Sequence, residues 1–197
     1  MTTPDATREA DPDICSRCAM QSSTCCSLEP GMEEFCFPVS DMEWERILDH
    51  AGEKGSFVQE ANSTNFVDNI KRLFPGERDL VDLLFPWHKF HLRLATDKKG
   101  SCVFLKPEGC ALPREARPYY CRIFPFWIYG DRLTVFTPAG CLAVKEGRSM
   151  GGIRRKLGVS EAEVRDLHGR LRLAWGLPPK EGMRFLEQSF TRYKKKR

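Results

Sequence analysis

The sequence predicts an α+β fold in which small antiparallel hairpins surround cysteine sites and several helices pack against them. Helix start signals recur: Ser40 and Ser160 are each followed three residues later by a glutamate, which is the capping-box pattern. Strand signals are short and local, as in residues 89–94, where apolar and polar side chains alternate with the period of a half-buried strand. At 197 residues the chain has the length of one domain with a small appendage.

The chain before residue 40 shows little periodicity. Residues 1–13 are polar, acidic and interrupted by proline, so we expect a disordered leader with no secretory signal. Residues 14–34 show neither a helical nor a strand period and hold the first cysteines. Residues 35–39 (Phe-Cys-Phe-Pro-Val) are typical of a short strand.

Three helices are predicted in the next part of the chain. The first begins at Ser40 and ends at Gly52, a residue type that favours helix termination. Two amphipathic helices follow at 64–74 and 77–85, separated by Pro75-Gly76.

Two hairpins follow these helices. Residues 89–94 are expected to pair with 101–105 around a turn at 97–100, where glycine completes the turn. A short helical turn near 113–116 ends before Pro118, and a second hairpin joins 126–129 to 133–137.

The C-terminal part, residues 151–197, is predicted as a helical extension, with helices at 153–157, 160–174 and 180–195. The net charge of +4 is concentrated at its end, because residues 192–197 contain five positive side chains. A basic tail can contact nucleic acid or anionic lipid, although a solvated helix end is the simpler interpretation. No stretch has the ~20 apolar residues needed to cross a bilayer.

Cysteine usage carries the functional prediction. Eight of the nine cysteines form a pattern that suggests metal ligation: Cys15, Cys18, Cys25, Cys26, Cys102, Cys110, Cys121 and Cys141. We expect a cytoplasmic protein, in which structural disulfides are rare and cysteine clusters more often bind metal or do redox chemistry. Eight thiolates make two complete shells of four sulfurs by number, and zinc and an iron–sulfur cluster both stay open.

The segment from Cys110 to Pro125 is the most informative stretch. Arg117 and Arg122 flank Cys121, and a guanidinium near a thiol favours the thiolate form that binds metal. We therefore expect both arginines to lie outside the ligand shell of a metal centre, where they offset negative charge and donate hydrogen bonds to the ligands.

These motifs resemble the YkgJ-like cysteine-cluster family, which is associated with zinc or iron chelation. The resemblance covers about residues 14–150 and implies a cysteine-cluster metal-binding domain over that range. Six residues separate Cys18 from Cys25, a longer gap than is usual in the family. The matching positions are Cys15, Cys18, Cys25-Cys26, Cys102–Leu105, Cys110, Arg117-Pro118, Cys121-Arg122, Phe124-Pro125 and Cys141.

The remaining side chains that could carry chemistry favour structural roles. Cys36 lies in a predicted strand, where a cysteine often behaves as a small buried hydrophobe. His88 and His91 straddle the start of a strand, so we assign neither to a metal. The four tryptophans, at positions 44, 87, 127 and 175, are expected in the core or in an interface.

Three functions compete at this point. The sequence favours a non-catalytic protein whose metal serves a structural, redox or metal-handling role, because all-thiolate shells leave no open position for hydrolysis. A cluster-dependent modifying enzyme is the second candidate, since flagellin lysine methylases have a similar cysteine cluster, but no acid–base pair or nucleotide loop is found. The third is a nucleic-acid-binding module that uses the basic C-terminal region.

Overall fold

The computed structural model describes residues 10–21, 24–52, 56–180 and 183. Helices and three two-stranded antiparallel sheets form this part of the chain, which confirms the predicted α+β class. The helices are α1 Ile14–Ala19, α2 Asp41–Ala51, α3 Thr64–Leu73, α4 Arg78–Leu84, α5 Tyr119–Ile123, α6 Leu142–Gly147, α7 Met150–Leu157 and α8 Glu161–Ala174, with a 3-10 turn at Glu33–Phe35. The strands are β1 Phe57–Ala61, β2 Phe90–Leu94, β3 Leu105–Lys106, β4 Gly109–Cys110, β5 Phe126–Tyr129 and β6 Arg132–Val135.

Helices with strong local start signals lie where they were predicted. In α2 the Glu43 amide donates to Ser40 Oγ at 3.4 Å, and the Glu43 carboxylate accepts from the Ser40 amide at 2.9 Å. Gly52 ends this helix in the left-handed conformation, with φ 66°. The same reciprocal bonds at Ser160 and Glu163 begin α8. Both capping boxes satisfy amides that have no partner inside the helix.

The C-terminal helices pack into the same body as the rest of the chain. Helix α7 covers the predicted 153–157 helix and begins earlier, at Met150. Of the predicted helix over 180–195, only residues 180 and 183 are described, and the basic residues 192–197 lie outside the described part. Of the predicted leader, residues 10–13 are ordered, since the Asp11 amide donates to the Lys156 carbonyl at 3.0 Å.

Three short helices, α1, α5 and α6, were not predicted. Residues 14–34 show no helical period in the sequence, yet α1 occupies Ile14–Ala19. Distant contacts hold α1: Ser16 Oγ donates to the Glu108 carbonyl at 2.7 Å, and Arg17 Nη1 donates to Glu146 Oε1 at 2.8 Å. Local periodicity cannot show a six-residue helix that depends on such contacts.

The first predicted hairpin has the wrong partner strand. Strand β2 forms as expected, but it pairs with β1, with Phe57 opposite Leu94. The turn at 97–100 is present, closed by the Gly100 amide donating to the Asp97 carbonyl at 2.9 Å. Beyond the turn the chain pairs only briefly with the residues after β2, where Thr96 and Cys102 form an isolated antiparallel bridge and the Val103 amide donates to the Ala95 carbonyl at 3.1 Å. The predicted return strand over 101–105 therefore does not form against β2. The β5–β6 hairpin agrees with its prediction.

The predicted strand at 35–39 is also absent. Its first residue, Phe35, ends a 3-10 turn, and Cys36 then follows in an extended conformation. Only the Val39 amide reaches β2, where it donates to the Leu92 carbonyl at 2.7 Å. One hydrogen bond does not make a strand, although Val39 itself is buried.

Three clusters of buried apolar side chains stabilise the part of the chain that the structure describes. The first joins α3, α4, α5 and α8, and the second joins α1, β5, α6, α7 and α8. The third, smaller cluster lies around Ile47 and Phe104. Tyr120 packs against the first, Cys141 belongs to the second, and Cys102 and Cys110 pack against the third. The cysteine segments therefore lie where the three clusters approach one another.

Two side-chain placements complete the fold. Trp127 and Trp175 are buried as expected, whereas Trp87 is 82% exposed and is not a core residue. It directly follows Pro86 in the loop between α4 and β2. Across the described ranges, no helix has the length and apolarity that a bilayer crossing requires.

Candidate functional site

All eight cysteines of the predicted metal-binding pattern line a single cavity of about 120 Å³. They come from six separate segments of the chain, so only the tertiary fold brings them together. The volume is roughly tenfold the ~10–15 Å³ that one buried water needs. The cysteines lining it are Cys15, Cys18, Cys25, Cys26, Cys102, Cys110, Cys121 and Cys141.

Helix α1 supplies the first two thiols. Cys15 and Cys18 are three residues apart, a spacing that places both on one face of a helix. Cys18 Sγ lies 3.8 Å from the Gly140 carbonyl, next to Cys141, which is the N-cap residue of α6. The contacts of Ser16 and Arg17 described above fix this helix against the β3–β4 turn and α6.

The adjacent cysteines lie in a loop that is hydrogen-bonded to the turn after β2. The Cys102 amide donates to the Cys26 carbonyl at 2.8 Å, and the Leu28 amide donates to the Gly100 carbonyl at 2.9 Å. Gly100 is required here, because a Cβ at this position would lie 1.9 Å from the Leu28 carbonyl oxygen. Cys25 and Cys26 both line the cavity, so the pair is not divided between separate sites.

Helix α2 positions the segment that carries Cys121. The carboxylate of Glu43, which is buried, accepts from the Tyr119 amide at 2.6 Å, at the first residue of α5. Arg46 Nη2 donates to the Arg117 carbonyl at 3.0 Å. Glu43, which completes the capping box of α2, therefore also accepts a hydrogen bond from the first residue of α5. Helix α5 in turn carries Cys121, which lines the cavity.

Cys121 has accessible surface although protein atoms surround it closely. It lines this cavity and two neighbouring ones, so its exposed area faces cavity space. Burial raises the pKa of its thiol well above the ordinary value, and the nearby cysteine Cys26 adds to the shift.

The two arginines predicted to support the site have different positions. Arg117 lines the main cavity, and its Nε donates to the Leu112 carbonyl at 2.9 Å. Burial raises the pKa of Cys15 and of Cys110, and the positive charge of Arg117 opposes both shifts. Arg122 does not line the main cavity and instead lines a smaller one behind Cys15 and Cys121.

One thiol differs from the rest in acidity. A hydrogen bond from the Cys25 thiol lowers the pKa of Cys26 to about 7, although burial opposes this shift, and the charge of Arg117 lowers it further. The same bond, together with burial, raises the pKa of Cys25. Burial raises the pKa of Cys102 to about 12. Cys26 is therefore the thiol most easily ionised for metal binding among these.

The ninth cysteine lines a neighbouring cavity of about 160 Å³ that shares Cys25, Cys26, Cys102 and Cys121 with the main one. Cys36 is half-buried rather than in the core, because the strand predicted around it does not form. Burial raises its pKa to about 11. This neighbourhood is not evident from the sequence, since nothing in residues 35–39 indicates which loops face them.

The histidines lie away from the cavity. His91 is buried, stacks on Phe66 with ring centroids 3.7 Å apart, and has its Nδ1 2.9 Å from Asn62 Oδ1. His88 is exposed and contacts Trp87. Tyr120 is a cavity residue that the sequence did not single out, and it stacks on Phe37 with centroids 3.4 Å apart.

The thiols surround a space and do not converge on one point. Within the described residues, no three Cys, His, Asp or Glu side chains are arranged so that they could hold a metal ion directly. None of the cavity-lining residues is Asp, Glu or His, so the donor atoms on side chains facing it are mainly sulfur. Soft sulfur donors suit zinc, copper(I) and iron–sulfur clusters, and not magnesium or calcium.

Comparisons of this chain with protein-family models, with curated proteins and with solved structures find no match, so the resemblance to the YkgJ-like family stays a prediction.

Proposed function

We propose that the chain binds a metal centre, an iron–sulfur cluster or zinc, through thiolates in the cavity lined by its eight cysteines. The supporting observation is that these eight, chosen by sequence pattern alone, line one cavity although they come from distant segments. We further propose a cytoplasmic setting, where thiols stay reduced and available for metal.

The donor set fits such a centre. Thiols must lose their protons to bind metal, and Arg117 provides a positive charge that favours the ionised form at three of them. Among the thiols with a shifted pKa, Cys26 loses its proton most easily, because the hydrogen bond from Cys25 lowers its pKa to about 7. When bound, the centre would connect α1, the Cys25–Cys26 loop, β4 and α5.

The arrangement of the thiols favours a cluster over a single zinc ion. A tetrahedral zinc ion needs four sulfurs each about 2.3 Å from one point. The thiols of this cavity instead enclose a volume of about 120 Å³, which suits a larger polynuclear group. The role that follows is electron transfer, redox sensing or structural support, because an all-thiolate centre has no open position for hydrolysis.

Metal analysis of protein purified without oxygen tests the proposal. We expect iron and acid-labile sulfide, with broad visible absorption, or else stoichiometric zinc in a colourless protein. Cys121→Ser should lower the metal content, since Cys121 lines the cavity. Cys36→Ser is the matched control, because Cys36 does not line it, and it should keep the wild-type metal content.

The result that would contradict the proposal is a folded wild-type protein without iron or zinc. Equal metal loss in the two serine variants would instead show that the assignment of ligands to the main cavity is wrong. Far-UV circular dichroism of each variant separates a lost ligand from a lost fold.

A further inference from the structure

A small cavity of about 40 Å³ lies behind the thiol cavity and is lined by three arginines. The residues that line both cavities are Cys15, Arg117, Cys121, Phe124 and Leu157. The guanidinium groups belong to Arg114, Arg117 and Arg122, and no Asp or Glu is among the lining residues. One buried water needs ~10–15 Å³, so the cavity has room for about three water-sized groups. This size matches a carboxylate or a phosphate group.

Arg122 has an unused hydrogen-bond donor at this place. Its Nε is buried and has no hydrogen-bond partner in the described part of the chain. The guanidinium lies 5.8 Å from the centre of the Tyr119 ring, so one face of the group is covered. An unsatisfied buried N–H is costly, and a charged donor more so, which indicates a missing acceptor.

Positive charge in this region is not matched by nearby carboxylates. Burial lowers the pKa of Arg122, and the neighbouring cation Arg46 lowers it further. Asp166 acts on Arg122 only weakly and is itself paired with Arg170 at 2.9 Å. Among the described residues, no ion pair joins Arg114, Arg117 or Arg122 to an acidic side chain.

We propose that this pocket binds a small oxyanion, a carboxylate or phosphate group, between Arg114, Arg117 and Arg122. Guanidinium groups offer paired N–H donors that match the oxygens of both groups. The bound anion would lie against Cys15 and Cys121, which also line the main cavity. The proposal does not depend on a metal centre, because the arginines and the unpaired donor are present in the polypeptide itself.

Anion binding to the full-length protein tests this site, with inorganic phosphate and acetate as probes in isothermal titration calorimetry. We expect one molecule of one of these anions per chain, and the tighter binder of the two identifies the anion class. Arg114→Gln and Arg122→Gln should each weaken that binding at least tenfold. Arg132→Gln is the matched control, since Arg132 is an exposed arginine that lies in β6, outside the pocket, and it should change binding less than twofold.

A conservative variant keeps the test informative if Arg122→Gln fails to fold. Arg122→Lys retains the charge but removes the Nε donor, and it should also weaken binding at least tenfold. If neither phosphate nor acetate binds saturably, the proposal is wrong. It is also wrong if Arg132→Gln weakens anion binding as much as the pocket variants do. If the pocket variants lower metal content while the wild type binds no anion, the arginines serve only to offset thiolate charge. Metal content measured on the same wild-type samples separates this failure from failure of the proposed metal centre.

Discussion

In the metal-free protein, Cys26 should react with an alkylating reagent at neutral pH faster than the cavity cysteines whose pKa burial raises. The thiol of Cys25 donates a hydrogen bond to the sulfur of Cys26 and lowers the pKa of Cys26 to about 7. Arg117 supports the same shift by its charge. Because only the thiolate attacks such reagents, the lower pKa increases the reactive fraction at pH 7.

The size of the effect follows from two opposing terms. At pH 7 a thiol of pKa about 7 is half ionised, whereas one at the ordinary value of 9.0 is about 1% ionised, a ratio of ~50. Thiolate nucleophilicity falls with pKa, at a Brønsted slope of ~0.4–0.5, so a decrease of two units costs roughly eightfold. The net advantage over an unperturbed thiol is therefore about sixfold. Cys102, with a pKa of about 12, should be almost inert.

The assay is iodoacetamide labelling of chelator-treated, reduced protein at a series of pH values, with each cysteine peptide quantified by mass spectrometry. Cys25→Ala removes the hydrogen-bond donor and should move the midpoint of Cys26 labelling upward from about 7, towards 9.0. Cys36→Ala, a change outside the pair, should leave that midpoint unmoved. A midpoint near 9.0 in the wild type, or one that Cys25→Ala does not shift, would show that Cys25 does not lower the pKa of Cys26.

Two further predictions concern stability. Burial lowers the pKa of His168 to about 3. Below pH ~6.5 the unfolded chain therefore binds a proton at this histidine that the folded chain does not bind. The free energy of unfolding should therefore fall as the pH drops from about 6.5 towards about 3, by up to ~1.4 kcal/mol per pH unit, and urea unfolding of His168→Leu should show a slope smaller by one proton. An identical slope in that variant would contradict the assignment. Glu77 accepts two hydrogen bonds of 2.6 Å from the fully buried Arg172, so Glu77→Gln should lower the free energy of unfolding by ~3–5 kcal/mol. The same change at the exposed Glu161 should cost ~0–1 kcal/mol, and similar losses at the two positions would show that burial of the pair does not matter.

Features that depend on neighbours in sequence were predicted correctly. The helices that begin at Ser40 and Ser160 have the expected capping boxes, because the glutamate that completes each box is only three residues away. The β5–β6 hairpin was predicted for the same reason, since its two strands are separated by a single tight turn.

Features that depend on distant residues were not predicted correctly. The turn at 97–100 is real, but β2 pairs with β1, which lies on the other side of two helices in the sequence. No local pattern in residues 90–94 specifies that partner. Helix α1 was missed because contacts with Glu108 and Glu146, both far along the chain, hold it in place.

Sequence patterns alone singled out eight of the nine cysteines and located the two capped helices, because a capping box and a short cysteine motif each involve residues only a few positions apart. The folded chain is needed to show that all eight thiols line one cavity, that Arg122 lines a smaller adjoining cavity, and that the pKa of Cys26 is lowered. These properties arise because cavities, burial and the charges around a thiol come from segments that are far apart in the chain and meet only in the fold.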